Sequence, residues 1–182
     1  MAIPAKVLRH LQKNKTPHQV VRHKKVYTAF DLARTLDEKF EKIAKTLLVR
    51  ADKRYVVVTI PAHYRLDLGK LKKVLKAKAV EIAKEPMIKK VLNFRPGAIV
   101  PFGKLHKLET VFDAGLRKAK EVVVGAGSFT ESLRMKVKDL EKLEDATVAD
   151  IGKSIEKDLM KAVEKGKKVI KKAMKRATSK RK

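Results

Sequence analysis

Ile43-Ala44-Lys45-Thr46-Leu47-Leu48-Val49 is the stretch whose reading decides the fold. A short run of β-branched and large apolar residues predicts a strand. Tyr55-Val56-Val57-Val58-Thr59-Ile60 follows after the tight turn Ala51-Asp52-Lys53-Arg54, so the two runs predict a hairpin. The second run is apolar almost throughout, which predicts burial on both faces and a central place in a sheet. Lys45 stands at the head of the first run and shares a face with Leu47 and Val49, because strand side chains alternate. Two readings stay open for it. Its ammonium either snorkels off the end of a helix over residues 37–44, where a cation suits the helix dipole, or it points, half-buried, into a cleft.

Outward from the hairpin, the chain alternates short elements. Residues 4–14 predict a helix, with Pro4 in the first turn and a stripe of Val7, Leu8 and Leu11. Residues 18–22 predict a strand, and Thr28 an N-cap for a helix over 29–36. Past the hairpin, Asp67 predicts a cap for a helix running to about residue 75. A strand over 79–83 and a helix near 86–92 come next. Strands over 109–113, 121–124 and 132–137 are interleaved with short helices over 114–119 and 137–143, and 147–151 closes the series. This alternation predicts a mixed α/β fold with a partly antiparallel sheet. A folded domain is expected over 1–151. From 152 to 182 the chain carries thirteen Lys and Arg against three Asp and Glu. That segment predicts a basic amphipathic helix with a disordered end.

Composition narrows the function. The chain has 182 residues and a formal net charge of +26. Such a charge implies a polyanionic partner, nucleic acid before membrane, because aromatic residues are only 5% and Trp is absent. Lys greatly outnumbers Arg, which favours phosphate contacts over base readout. The chain has no cysteine, which excludes disulfides, thiolate zinc sites and a Cys nucleophile. The five histidines show no metal-ligand spacing. No apolar run approaches the roughly 18 residues of a membrane span, and the N-terminus lacks a signal-peptide core, so a cytoplasmic protein is expected.

Two glycine-bearing segments stand out. Gly97-Ala98-Ile99-Val100-Pro101-Phe102-Gly103 reads as a defined loop. It is either a plain surface turn or a place where Gly97 and Gly103 let backbone approach a ligand while Pro101 stiffens it. Gly125-Ala126-Gly127-Ser128 follows a strand, lacks the third glycine of a dinucleotide fingerprint, and has no GK[ST] of a phosphate loop. A strand-end nest for a carbonyl or carboxyl group remains open. Ser128 has no His or Asp partner close in sequence. Asp67 and Asp113 read as caps, and His63 and His106 as exposed loop residues.

Ile43-Ala44-Lys45-Thr46-Leu47, Arg65-Leu66-Asp67-Leu68-Gly69-Lys70-Leu71, Gly97 to Gly103, Phe112-Asp113 and Val124-Gly125-Ala126-Gly127, taken in that order, resemble the YbaK/ProX family of aminoacyl-tRNA deacylases. These editing domains also occur inserted in prolyl-tRNA synthetases. The resemblance covers roughly residues 4–151. It implies a central mixed, partly barrel-like sheet flanked by helices. It implies hydrolysis of the ester of mischarged tRNA in trans, with no metal and no organic cofactor. It implies that Lys45 holds the substrate near its ester, that the loop of Gly97 and Pro101 helps place the carbonyl and ribose, and that water or a ribose hydroxyl attacks. Thr46, Gly103, Gly125, Gly127 and Ser128 are expected at the substrate. The N-terminal wall of the pocket is expected around residues 27–30. One departure is plain: where the family carries a basic residue and a further glycine, this chain has Ser128-Phe129-Thr130-Glu131. In the tail, Lys167, Lys168, Lys171, Lys172, Lys175 and Arg176 are expected to meet tRNA phosphates, and a synthetase or the ribosome is a further expected partner. The alternative reading is a non-catalytic nucleic-acid-binding protein on the same scaffold.

Overall fold

The computed structural model describes residues 2–155. The expected tail contacts from Lys167 to Arg176 lie outside the described residues.

The hairpin forms as its sequence predicts. β2 (Ala44–Ala51) and β3 (Arg54–Pro61) pair antiparallel, with Lys45 opposite Ile60 and Ala51 opposite Arg54. The turn is held by Asp52, whose carboxylate accepts from the backbone N–H of Lys78 and Ala79. Val56, Val57, Val58, Thr59 and Ile60 are all buried, so β3 is the central strand. β5 (Val80–Ile82) adds antiparallel to β2, while β6 (Glu109–Asp113) and β9 (Thr147–Ala149) continue parallel beyond β3. The sheet order is β5-β2-β3-β6-β9.

A second, antiparallel sheet has the order β1-β8-β7, built from β1 (Gln19–Arg22), β8 (Glu131–Lys136) and β7 (Glu121–Gly125). A parallel bridge between Ile43 and Val123 joins β7 to the start of β2, so the sheets meet at Lys45's end of the hairpin. This is the central mixed sheet flanked by helices that the resemblance implies. Phe102, Phe112, Leu133 and Leu140 are fully buried in the largest core cluster. Each such side chain contributes about 1.5–3 kcal/mol by leaving water. Among the helices, α1 (Ala5–Lys13) buries Val7 and Leu11, and α2 (Ala29–Leu36) buries Leu32 and Ala33. α3 (Leu68–Val74) buries Leu71; α4 (Glu85–Leu92) and α5 (Val137–Glu144) complete the set. Thr28 and Asp67 are the N-caps their sequence positions predict, accepting from the N–H groups of Asp31 and Lys70.

Several expectations change. No α-helix covers 37–44: Asp37 takes a left-handed conformation that ends α2, and only a single 3-10 turn, Phe40–Lys42, precedes β2. Lys45 therefore has no helix end to snorkel from. Residues 114–118 also form a 3-10 turn rather than an α-helix. β4 (Tyr64–Leu66) has too little sequence signal to be read alone, and it exists because β10 (Gly152–Ser154) pairs with it. The folded part thus runs past the boundary expected at residue 151. His63 is buried, and His106 is half-buried, each with a ring nitrogen that finds no hydrogen-bond partner among the described residues.

Candidate functional site

The Lys45 side chain is half-buried, and its ammonium donates to the carbonyl oxygen of Ala62 at 3.2 Å. No carboxylate among the described residues pairs with it. Burial, with the charge of nearby Arg65, holds its pKa below the ordinary lysine value. A partly desolvated cation with only a carbonyl for company is a costly arrangement, and such groups gather at functional sites.

Lys45 lines a small cavity of about 90 Å³. Around it stand Thr46 and Ala44 of β2, Gly97 and Ile99 of the loop, Gly125 at the end of β7, Ser128, and Ser132 of β8. Tyr27, Thr28 and Ala29 close the N-terminal side; Phe30, the fourth residue of the expected 27–30 wall, is not in the lining and meets Phe40 at 5.1 Å between ring centroids. Gly97 is required here: its φ is +81°, and a Cβ would collide with the carbonyl oxygen of Tyr27. Gly125 is pressed against the Ile99 carbonyl in the same way. Loop and strand end are therefore in direct backbone contact across the cavity.

Of the residues expected at the substrate, Lys45, Thr46, Gly97, Gly125 and Ser128 meet at this cavity. Pro101, Gly103 and Gly127 lie outside its lining. Pro101 is buried. Gly103 faces Thr110 and the Leu108 carbonyl, and Gly127 faces Phe94 and Pro4. The positions of these three are explained by packing. The hydroxyls of Thr46 and Thr59 are hydrogen-bonded at 3.2 Å. Ser128 Oγ accepts from the N–H groups of Thr130 (3.1 Å) and Glu131 (3.2 Å), which shapes the turn between β7 and β8.

Two lining residues were not legible from the sequence, His23 and Ser132. His23 Nδ1 is 2.8 Å from the Lys24 carbonyl oxygen, and its Nε2 is 2.9 Å from Ser132 Oγ. A carbonyl only accepts, so in the neutral ring Nδ1 carries the hydrogen and Nε2 accepts from the serine hydroxyl. Ser132 Oγ then has only lone pairs left for the cavity. The backbone N–H groups of His23 and Val26 donate to the carbonyls of Thr130 and Phe129, and the Tyr27 and Phe129 rings lie 5.0 Å apart. The Ser128-Phe129-Thr130-Glu131 departure is thus the dock for the segment after β1, and that segment brings a histidine to the wall. Among the described residues, no three His, Asp or Glu side chains gather as a metal-ligand set.

Residues 23–143 match the aminoacyl-tRNA editing domain. The chain belongs to this family. Among curated proteins, one relative is the proline–tRNA ligase of Macrococcus caseolyticus, 30% identical over 125 residues, or 67% of this chain and 22% of the ligase. The ligase of Staphylococcus saprophyticus is 29% identical over 120 residues, or 65% of this chain and 20% of that one. The chain thus spans about a fifth of the length of the curated relatives it matches. Among solved structures, a protein proposed to be a trans-editing enzyme for prolyl tRNA synthetase superposes with a TM-score of 0.74 at 23% identity, covering 84% of this chain and all of that one. The hypothetical protein APE2540 gives 0.76 at 22% identity, covering 81% and 99%. At these identities the structural matches establish the shared editing-domain fold.

Proposed function

We propose that this chain hydrolyses the ester of mischarged aminoacyl-tRNA in trans, as a metal-independent deacylase that proofreads translation. The observation that carries the reading is Lys45: a half-buried ammonium, held by one carbonyl, on the wall of a cavity with a backbone loop on one side and a strand end on the other.

The cavity of about 90 Å³ has room for a small aminoacyl group and little more, since one water needs about 10–15 Å³ by a comparable measure. Small side chains such as alanine, cysteine or serine are what the family resemblance implies, and a cavity of this size is compatible with them. The likeness to proline–tRNA ligases points to the tRNA that those enzymes charge, and to such a ligase as the companion enzyme. In the reaction, a water oxygen or the neighbouring ribose hydroxyl attacks the ester carbonyl carbon. The bond from that carbon to the ribose oxygen breaks, and the ribose oxygen takes a proton; where the ribose hydroxyl attacks, water then cleaves the transferred ester. The products are the free amino acid and uncharged tRNA. Lys45 steers the acyl ester by charge, and backbone N–H groups of the Gly97 loop stabilise the charge that builds on the carbonyl oxygen. Ser132 Oγ offers lone pairs to a donor on the substrate, such as the α-ammonium.

The test is a deacylation screen over a panel of mischarged tRNAs, run with the wild-type chain and with Lys45→Ala. Release of a small amino acid by the wild type and its loss in the folded variant support the reading. A Lys45→Ala rate equal to wild type overturns the role given to the lysine, and no release from any charged tRNA leaves a nucleic-acid-binding protein on an editing scaffold.

A further inference from the structure

A second concave region lies at the other end of the β7–β8 hairpin. It is a groove of about 1010 Å³, far larger than the Lys45 cavity. Seven Lys and Arg side chains line it, against three Glu. Four of the seven are already engaged, among them Lys118, whose ammonium donates to the Tyr64 hydroxyl at 3.0 Å. Arg117 binds Glu141 through two nitrogens at 2.8 and 3.0 Å, while Arg134 and Lys42 both reach Glu38, at 2.7 and 3.3 Å. Lys120, Lys136 and Lys138 are exposed, and no acidic partner is recorded for them among the described residues. The groove therefore keeps a surplus of positive charge in a concave, partly apolar setting, where charge acts more strongly than on a convex surface.

Its placement relative to the small cavity is fixed by strand register. Ser132, Arg134 and Lys136 alternate along one face of β8, opposite Gly125, Val123 and Glu121 of β7. Ser132 and Gly125 line the cavity; Lys136 and Glu121 line the groove. The two lie four positions apart along the strand, roughly 13 Å at about 3.3 Å per residue. The Ile43–Val123 bridge, with Lys42 on one side of it and Ala44 on the other, sets the same order on β2.

We propose that this groove is the docking site for the phosphate backbone of RNA, positioned so that a strand whose 3′ end occupies the Lys45 cavity lays its adjoining phosphates along Lys120, Lys136 and Lys138. The proposal rests on the editing reading for its direction and on the groove's own charge for its occupant. Lysines suit it because they bind phosphate without reading bases, and they sit where one surface can serve many sequences.

The experiment compares two triple variants of equal charge. One is Lys120→Gln, Lys136→Gln, Lys138→Gln. The other is Lys72→Gln, Lys73→Gln, Lys78→Gln, three exposed lysines in and after α3. Binding of uncharged tRNA is measured by fluorescence anisotropy over a range of salt. The groove variant is expected to raise Kd about tenfold or more and to lower the slope of log Kd against log salt by about two to three, near 0.7–0.9 per lost phosphate contact. The α3 variant is expected to shift Kd less than about threefold. Equal weakening by both variants overturns the proposal, because net charge alone then explains binding; unchanged binding by the groove variant overturns it as well. Polyglutamate that competes with tRNA as well as duplex RNA does would overturn RNA as the occupant. Hydrolysis of a short aminoacyl-ester of adenosine is read in parallel and is expected to be unchanged in the groove variant. If the wild type cleaves no ester yet the groove variant loses tRNA, the editing reading falls and the docking site stands.

Discussion

His23 Nε2 and Ser132 Oγ are 2.9 Å apart, and the Lys24 carbonyl on the far side of the ring makes the serine the donor. Histidine and serine come from segments 109 residues apart. The serine hydroxyl is thereby oriented with its hydrogen turned away from the cavity. Ser132→Ala should lower kcat/KM for a mischarged tRNA about tenfold, or about 1.4 kcal/mol of transition-state stabilisation. His23→Ala frees the hydroxyl to rotate and should lower it by a similar factor, and the double variant should lose little more than either single one. Single-turnover deacylation checks the set, and additive losses would show that the two residues act separately.

Lys45 carries a stability cost alongside its proposed role. Burial and the Arg65 charge disfavour its protonated form in the folded chain. The unfolded lysine therefore binds its proton more tightly than the folded one. Stability attributable to this group is lowest at neutral pH, where the folded lysine is still charged, and it rises with pH between the folded and unfolded pKa values. Lys45→Met removes the penalty and should stabilise the chain at neutral pH by about 1 kcal/mol while abolishing hydrolysis. Urea midpoints of the two proteins measure this, and a lower midpoint for the methionine variant would contradict it.

His106 is the acid-sensitive point of the fold. Burial first, then the charge of Lys6, pushes its pKa down to about 4, against a weaker upward pull from the Val91 carbonyl. Lys6 itself lies 4.1 Å over the Phe94 ring, and that ring packs at 5.7 Å from His106. An unfolded histidine takes up its proton near pH 6.5, while the folded one refuses it until about pH 4. Stability is thus lost as pH falls through that window, by roughly 2 kcal/mol after allowing for partial exposure. His106→Leu should flatten this part of the pH profile. Urea midpoints at pH 7 and pH 4.5 for both proteins give the comparison, which cancels the carboxylates they share.

The pairing of β10 with β4 sets where the chain can be shortened. Asp113 Oδ2 accepts from the N–H groups of Ile151 (2.9 Å) and Gly152 (2.6 Å), and the Ile155 N–H donates to the His63 carbonyl at 2.8 Å. A chain ending at Ile155 should melt close to the full-length protein. One ending at Ile151 should lose about 2–4 kcal/mol and melt several degrees lower. Equal melting temperatures for the two would show that β10 contributes nothing. Removal of the basic tail should therefore begin after Ile155 if its role in RNA binding is to be read cleanly.

The hairpin, the caps at Thr28 and Asp67, and the buried β3 were legible because each depends on residues close in sequence. Lys45, Gly97 and Gly125 were legible through ordered motifs. β4 was not: three residues with no strand pattern of their own become a strand only through a partner 86–90 residues later. His23 and Ser132 were missed for the same reason, since neither is distinctive until β1 pairs with β8. Gly103 and Gly127 were read as ligand glycines, whereas backbone and ring neighbours explain them. A glycine signal reports that something comes close; it does not say whether that is substrate or protein.

β1 pairs with β8 across more than a hundred residues, Gln19 with Arg134 and Arg22 with Glu131. During synthesis at about 5–20 residues per second, β1 must wait roughly 5–20 seconds before its partner has been made. The cavity inherits that delay, because His23 stands at the end of β1 and Ser132 lies within β8. Lys45, made early, is left until then with one wall of its site missing. A nascent chain thus carries the lysine long before it can enclose a substrate around it.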